Sequence, residues 1–243
     1  MTHKTRAIIL RSIKYGETSL VVTAYTELFG MQTYMVNGVR SAKKTGGKAN
    51  LFQPASILDL VVYHHENKSM QRIKEFNWGF LYQDLLQDVI KNSMACYLVE
   101  LMSKSLKQPE TNADLFAFCE HALQWLDAAP KIAAANFSLF FTLQLAGFLG
   151  FRITDNYDEA NGILDLSEGC FTPAEPIHPH FLPAEESAIT AQLLKVMHPE
   201  ELSEIPLNRT ARRNLLLRYL DYYALHISDF GQMKTLIVLQ EVL

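Results

Sequence analysis

Cysteine is scarce in this sequence: Cys96, Cys119 and Cys170 are odd in number and far apart. Cys96 and Cys119 lie in apolar helical pattern, where cysteine behaves as a small hydrophobe, so no disulfide framework is expected. No apolar run reaches the roughly 18 residues that a membrane-spanning helix needs. The first residues, Met-Thr-His-Lys-Thr-Arg, lead into a strand pattern rather than a signal-peptide core. A soluble, cytoplasmic protein is expected. Enzyme motifs are missing as well. The nearest approach to a phosphate-binding P-loop, Ala42-Lys-Lys-Thr-Gly-Gly-Lys-Ala49, lacks the first Gly and the closing Ser/Thr that would hold magnesium. The pairs His64-His65 and His178-Pro-His180 have no Cys or carboxylate partner at ligand spacing. Glu185-Glu186 and Glu200-Glu201 are adjacent carboxylates, which point to different sides of a helix. No catalytic residue, cofactor or metal is expected.

What is present is a strong asymmetry of charge. The net charge is −4 over 243 residues, which alone argues against a nucleic-acid binder. Residues 1–76, however, hold 11 Lys and Arg against 5 Asp and Glu, while the rest hold 11 against 21. A basic module followed by an acidic one is the pattern that results. The basic module contains Asn37-Gly-Val-Arg-Ser-Ala-Lys-Lys-Thr-Gly-Gly-Lys48, with four cations, three glycines and almost no apolar content. Such a loop cannot pack a core and loses much entropy on ordering, so its cations suit an anionic polymer. The alternative is a solvated connection with no partner.

From Thr5 to Phe76 the hydrophobic period is two. It predicts strands at Arg6–Lys14, Ser19–Thr26, Met31–Val36, Ile57–His64 and Met70–Glu75, with Arg72 and Lys74 on one face of the last and Gln71, Ile73 and Glu75 on the other. Five short strands with one long basic connection suit a closed OB-fold barrel, which commonly binds single strands through cations and aromatics. Arg40, Lys43, Lys44 and Lys48 of the loop, Arg11 and Lys14 of the first strand, and Arg72 and Lys74 of the last are the candidate nucleic-acid contacts. Tyr34 and Tyr63 are the candidate stacking residues.

After Asn77 apolar residues recur at three and four, predicting a mainly helical domain over 77–243 behind the barrel domain of 1–76. The fold class is thus α+β. One helix is expected from Trp78 to Met102, a second from a Thr111 cap, and an all-round apolar third over Ile132–Leu149 with Gly150 as its stop. Residues 151–183, with four prolines and two glycines, are expected as an irregular insertion of turns and a short ribbon. Two more helices follow at about Glu185–Met197 and Asn208–His226, and the apolar tail Lys234–Leu243 is expected to dock. Arg209, Arg212 and Arg213 fall on one side of the Asn208 helix by spacing, beside Leu215 to Leu217. They offer a partner-binding stripe, or else pair with the acidic helices of the same body.

Tyr15-Gly-Glu-Thr-Ser19, Thr26 with Gly30 four later, Gly38-Val-Arg40, Gln53-Pro54 and Glu75 together resemble the N-terminal domain of the bacterial RecO recombination mediators. The Asn208–Tyr223 stretch with its Arg-Arg pair, then Lys234-Thr-Leu-Ile-Val-Leu239, resembles that family's C-terminal ending. The resemblance implies an OB-fold domain followed by a helical one, in a non-enzymatic, nucleoid-associated bacterial protein. It implies binding of single- and double-stranded DNA, annealing of complementary strands, and cooperation with RecR to load RecA onto strands coated by single-strand-binding protein. The acidic, apolar C-terminal tail of that coating protein is an implied partner, and the Arg209, Arg212 and Arg213 stripe is its candidate site. Many members carry four cysteines in a zinc-binding insertion, whereas residues 151–183 keep only Cys170. No zinc is therefore expected. Two other classes compete: an RNA-binding OB module, because a 2′-hydroxyl contact is not legible in sequence, and a protein-interaction scaffold whose loop grips an acidic peptide.

Overall fold

A computed structural model describes residues 1–40 and 48–242. The strands are β1 (Thr2–Tyr15), β2 (Ser19–Thr26), β3 (Gly30–Val36), β4 (Ile57–Tyr63) and β5 (Gln71–Trp78), closed in the order β1-β2-β3-β5-β4. All pairings are antiparallel except β3 with β5, the parallel seam that closes the barrel at Tyr34–Gln71 and Met35–Arg72. This is the five-stranded OB arrangement that the period and turns predict. Alternation puts Ala7, Ile9, Val22, Ala24, Leu58, Leu60 and Val62 inside. The turn between β2 and β3 is set by two residues. The Thr26 hydroxyl accepts from Phe29 N at 3.1 Å and donates to Gly30 O at 2.9 Å. Gly30 has φ +59°, and a Cβ there would lie 2.2 Å from the Glu110 carbonyl oxygen, so only glycine fits.

Compactness divides the chain into residues 1–88 with 102–127, and residues 89–101 with 128–243, whereas the hydrophobic period changes near 76. In the first unit, helix α2 (Ala113–Ala128) covers part of the barrel's outer face. Tyr25, paired with Ile8, meets Phe116 at 5.8 Å between ring centroids, and Arg6 Nη1 donates to Glu120 Oε1 at 2.8 Å. That contact explains why Ala7 to Leu10 are buried on both sides of the strand. The cap of α2 is Asn112, whose Oδ1 accepts from Leu115 N at 2.9 Å, and not Thr111. Asparagine reaches the third amide with the same geometry that a threonine one place earlier cannot supply.

Helix α1 (Val89–Ser105) starts eleven residues later than the apolar spacing from Trp78 predicts. Gln83, Asp84 and Leu85 instead turn so that their amides all donate to the Asp127 carboxylate, at 2.7 to 3.1 Å. A carboxylate accepting several backbone amides outcompetes the helical ladder there.

The second unit is built around α4 (Phe137–Phe148), buried on nearly every side. The expected Ile132–Leu149 helix is broken into α3 (Lys131–Ala134) and α4. At the break the Asn136 amide donates to Leu202 O and Ile205 O, at 3.1 and 2.8 Å. Those bonds fasten the chain before the helix α6 (Arg209–His226), which Asn208 caps through Ala211 N. Tyr223 of α6 donates to Thr142 O at 2.7 Å, and Tyr97 shares a 2.9 Å hydrogen bond with the Thr142 hydroxyl. Between α4 and α5 (Ala184–Lys195) lies a small sheet of β6 (Ile163–Asp165), β7 (Cys170–Thr172) and β8 (Phe181–Leu182), in the order β7-β6-β8. Its buried Leu164, Phe171 and Leu182 form a local core, and Ser187 bridges Leu164 N to Leu182 O. The tail folds as α7 (Thr235–Val242), whose first amides at Lys234 and Thr235 donate to the Glu100 carboxylate at 2.9 and 2.7 Å.

Candidate nucleic-acid interface

Register across the barrel places one outward residue of every strand in a single row. Ile13 pairs with Val21, Val21 with Met35, Met35 with Arg72, and Arg72 with Tyr63. Each lies between inward neighbours, so the five side chains share the outer face. Arg72 is exposed and stands between a methionine and a tyrosine that is 40% exposed. Beside them opens a groove of about 600 Å³, lined by Met35, Tyr63, His65, Lys68, Met70 and Arg72, with the buried Gln71 behind. The groove is the meeting point of β3 with the loop between β4 and β5, residues 64–70. A cation beside an aromatic with apolar flanks is the chemistry that grips a phosphate and stacks a base.

The other expected contacts separate into groups. Arg11, paired with Thr23 two residues from the row, shares its face and is exposed. Lys14 pairs with Leu20 and belongs to the inward phase at the end of β1, although its head is exposed. Lys74 lies at a β-bulge, where the register slips between Val61 and Val62. The extra residue turns both Lys74 and Glu75 outward and joins them in a 3.1 Å ion pair, so Glu75 does not share the inward face of Gln71 and Ile73. Arg40 folds back on the β1–β2 loop, its amide donating to Thr18 O at 3.0 Å and its Nη1 to Gly16 O at 3.1 Å. Two of the motifs that carry the family resemblance thus meet through one arginine. Lys48 is exposed at the start of a 3-10 turn, Lys48–Phe52, while Lys43 and Lys44 lie outside the described residues.

Tyr34 is corrected: it is fully buried in the barrel, where burial raises its phenol pKa, and it has no face to offer a base. Lys68, which is not among the sequence candidates, lines the same groove. Its turn, Glu66-Asn67-Lys68, lies between Tyr63 and Arg72, and only the register shows that those two pair directly. In the same loop His64 stacks on Phe29 with centroids 3.9 Å apart, and burial, then the neighbouring His3, holds its imidazole below the ordinary value.

On α6 the expected stripe changes character. Arg209 Nη2 donates to Glu241 O and Arg212 Nη1 to Leu207 O, both within the second unit, and burial lowers the Arg212 pKa with Arg209 adding to it. Leu215 and Leu216 are core residues, so only Leu217 of the apolar run is exposed, at 38%. Arg209 and Arg213 are exposed and Arg212 is half-buried. In the insertion, His178 presents Nε2 to Asp165 Oδ2 at 3.3 Å, and its Nδ1 accepts from His180 N. Both ring nitrogens of His178 are thus engaged, and no group of three potential metal ligands occurs among the described residues.

Comparison with known proteins bears on the whole chain. The family described as "Recombination protein O N terminal" matches residues 1–80, and "Recombination protein O C terminal" matches residues 86–234. The chain is 34% identical to "DNA repair protein RecO" of Bacteroides fragilis over 244 residues, covering 100% of this chain and 99% of that one. It is 33% identical to the protein of the same name from Phocaeicola vulgatus, again over 100% and 99%. For that of Christiangramia forsetii the identity is 34%, over 98% of each chain. A barrel and a helical body matched in order, with relatives aligned from end to end, mean that the chain belongs to the RecO family.

Proposed function

We propose that the protein is a DNA-binding recombination mediator in DNA repair, which binds single- and double-stranded DNA and anneals complementary strands. The observation that carries this is the outer row in which Arg72 stands between Met35 and Tyr63. Arg72 neutralises a phosphate and Tyr63 stacks a base, while the loops after β1 and β4 frame the strand, as OB folds use them. Annealing on such a face needs no covalent step, only enough neutralised phosphate for two strands to approach. No catalytic group takes part.

The test is binding of labelled single-stranded DNA, duplex and RNA, with strand annealing measured alongside. Tyr63→Ala should weaken single-strand binding by about 1–3 kcal/mol, the usual worth of a stacked base. Arg72→Ala should weaken it for every sequence alike. Clear preference for RNA would make this an RNA module, and absence of polynucleotide binding would make it a protein scaffold.

The same reading has the protein work with RecR to load RecA on strands coated by single-strand-binding protein, in the bacterial cytoplasm at the nucleoid. Membership of the RecO family supports it. For the coating protein's acidic tail, Arg209 and Arg213 are the exposed residues of the stripe, and Arg209 already donates to Glu241 O, so Arg213 is the one taken to pair with a carboxylate. Arg213→Ala should weaken binding of a tail peptide several-fold. Unchanged affinity would move the tail site off α6.

A further inference from the structure

The loop between β4 and β5 is built with more care than a solvated turn requires. Gln71 is 3% exposed, in the inward phase of β5, yet its side-chain amide bonds to the loop. Its Nε2 donates to His65 O and to Lys68 O, both at 2.8 Å, and its Oε1 accepts from His65 N at 3.0 Å. Lys68 N also donates to His65 O, at 3.1 Å. One buried amide therefore fixes the backbone at both ends of the turn, and the exposed residues so held are His65 and Lys68, of which Lys68 carries the cation.

Grooves lie on both sides of this loop. That of about 600 Å³ contains Arg72 and Tyr63, and two others of about 620 and 680 Å³ lie towards Phe29 and His64. Lys68 is the residue that all three share. A polynucleotide following the row past Tyr63 meets the Lys68 ammonium whichever side of the loop it takes. Gln71 is a polar side chain at a buried position, paired in register with the buried Tyr34. Its three bonds are spent on the loop.

We propose that Lys68 is a phosphate-binding residue of the barrel face and that Gln71 is the positioning residue that holds it there. The proposal rests on the outer face being the polynucleotide site. A loop already ordered by Gln71 loses little entropy when a strand binds, whereas a loose one must be ordered at that moment. Gln71 touches no phosphate and acts only through Lys68.

The experiment is a salt titration of single-strand binding for Lys68→Ala, Gln71→Met and the pair together, with Arg72→Ala as the reference. Lys68→Ala should weaken binding about five- to tenfold at low salt and flatten the log–log salt slope by about 0.7, one phosphate's worth. Gln71→Met keeps the length and bulk of the side chain and should cost about fivefold. The double variant should be no worse than Lys68→Ala alone, because the two losses are one loss. Gln71→Glu, which keeps the acceptor for His65 N but loses both donors and sets a carboxylate against two carbonyl oxygens, should cost more than Gln71→Met. Additive losses, or an unchanged slope in Lys68→Ala when Arg72→Ala flattens it, would overturn the assignment. If Arg72→Ala also leaves the slope unchanged, the face itself is not the site and the proposed function fails with it.

Discussion

Asp127→Ala should lower the stability of the barrel unit by about 2–4 kcal/mol, one of the largest single-residue effects expected in this chain. Asp127 is 5% exposed and accepts from three consecutive amides, those of Gln83, Asp84 and Leu85. Alanine leaves the Leu85 amide buried without an acceptor, while the Gln83 and Asp84 residues are exposed enough for water to serve theirs. The buried donor carries most of the cost, at about 1–3 kcal/mol, and the loosened turn adds the rest. For a chain of this length each kcal/mol moves the melting midpoint by about 2–4 °C, so a fall of roughly 5–15 °C is expected in a thermal melt. Asp127→Asn keeps one acceptor oxygen but places an amide N–H₂ among donors, and should fall between the two. A midpoint within about 1 °C of the parent would show that the carboxylate does not organise this turn.

The same carboxylate shows where sequence pattern stops being informative. Trp78, Tyr82, Leu85 and Leu86 have helical spacing, yet their segment is not helical because its amides are claimed by a residue more than forty positions away. Asn136 stands at the break in an equally helical stretch, where its side-chain amide donates to the distant Leu202 O and Ile205 O. Period and propensity are local, and a long-range acceptor overrides them without altering either. The barrel was legible because strand identity needs only alternation and turns, and closure follows once five strands share an inward face. Its bulges were not legible. A bulge is a mismatch between two strands, so neither the slip at Leu10 nor the one at Lys74 is visible in one strand alone.

Within the candidate site, Arg72 and Tyr63 were legible as a basic and an aromatic residue near strand ends. Their adjacency was not, because it depends on the antiparallel register of β4 with β5. Tyr34 and Tyr63 look alike in sequence and differ by one step of pleat: Tyr34 falls in the inward phase with Val36, and Tyr63 in the outward phase. In sequence Lys68 is one cation in a short turn between two strands. Its importance comes from Gln71, which reads as an unremarkable polar residue at a strand start.

The second large effect expected is on the salt dependence of DNA binding. Arg40 braces the β1–β2 loop through Gly16 O and Thr18 O, so its removal would mix loss of charge with loss of structure. The cleaner variant replaces Lys43, Lys44, Lys48 and Arg72 by alanine. If each neutralises a phosphate, the slope of log affinity against log salt should flatten by up to about 3, at roughly 0.7 per phosphate for a single strand. The absolute slope is what changes, so the parent and the variant should converge as salt rises. Between about 50 and 200 mM salt the parent should lose roughly 50-fold more affinity than the variant. The loss should be nearly the same for every base sequence, because phosphate contacts carry no base information. Lys48 and Arg72 are exposed, so the melting midpoint should hardly move. Oligonucleotide binding over a salt series, with thermal melts on both proteins, decides the matter. An unchanged slope in a well-folded variant would make the basic loop a solvated connection and take the polynucleotide surface off the barrel, leaving the exposed Arg213 of α6 as the next place to look.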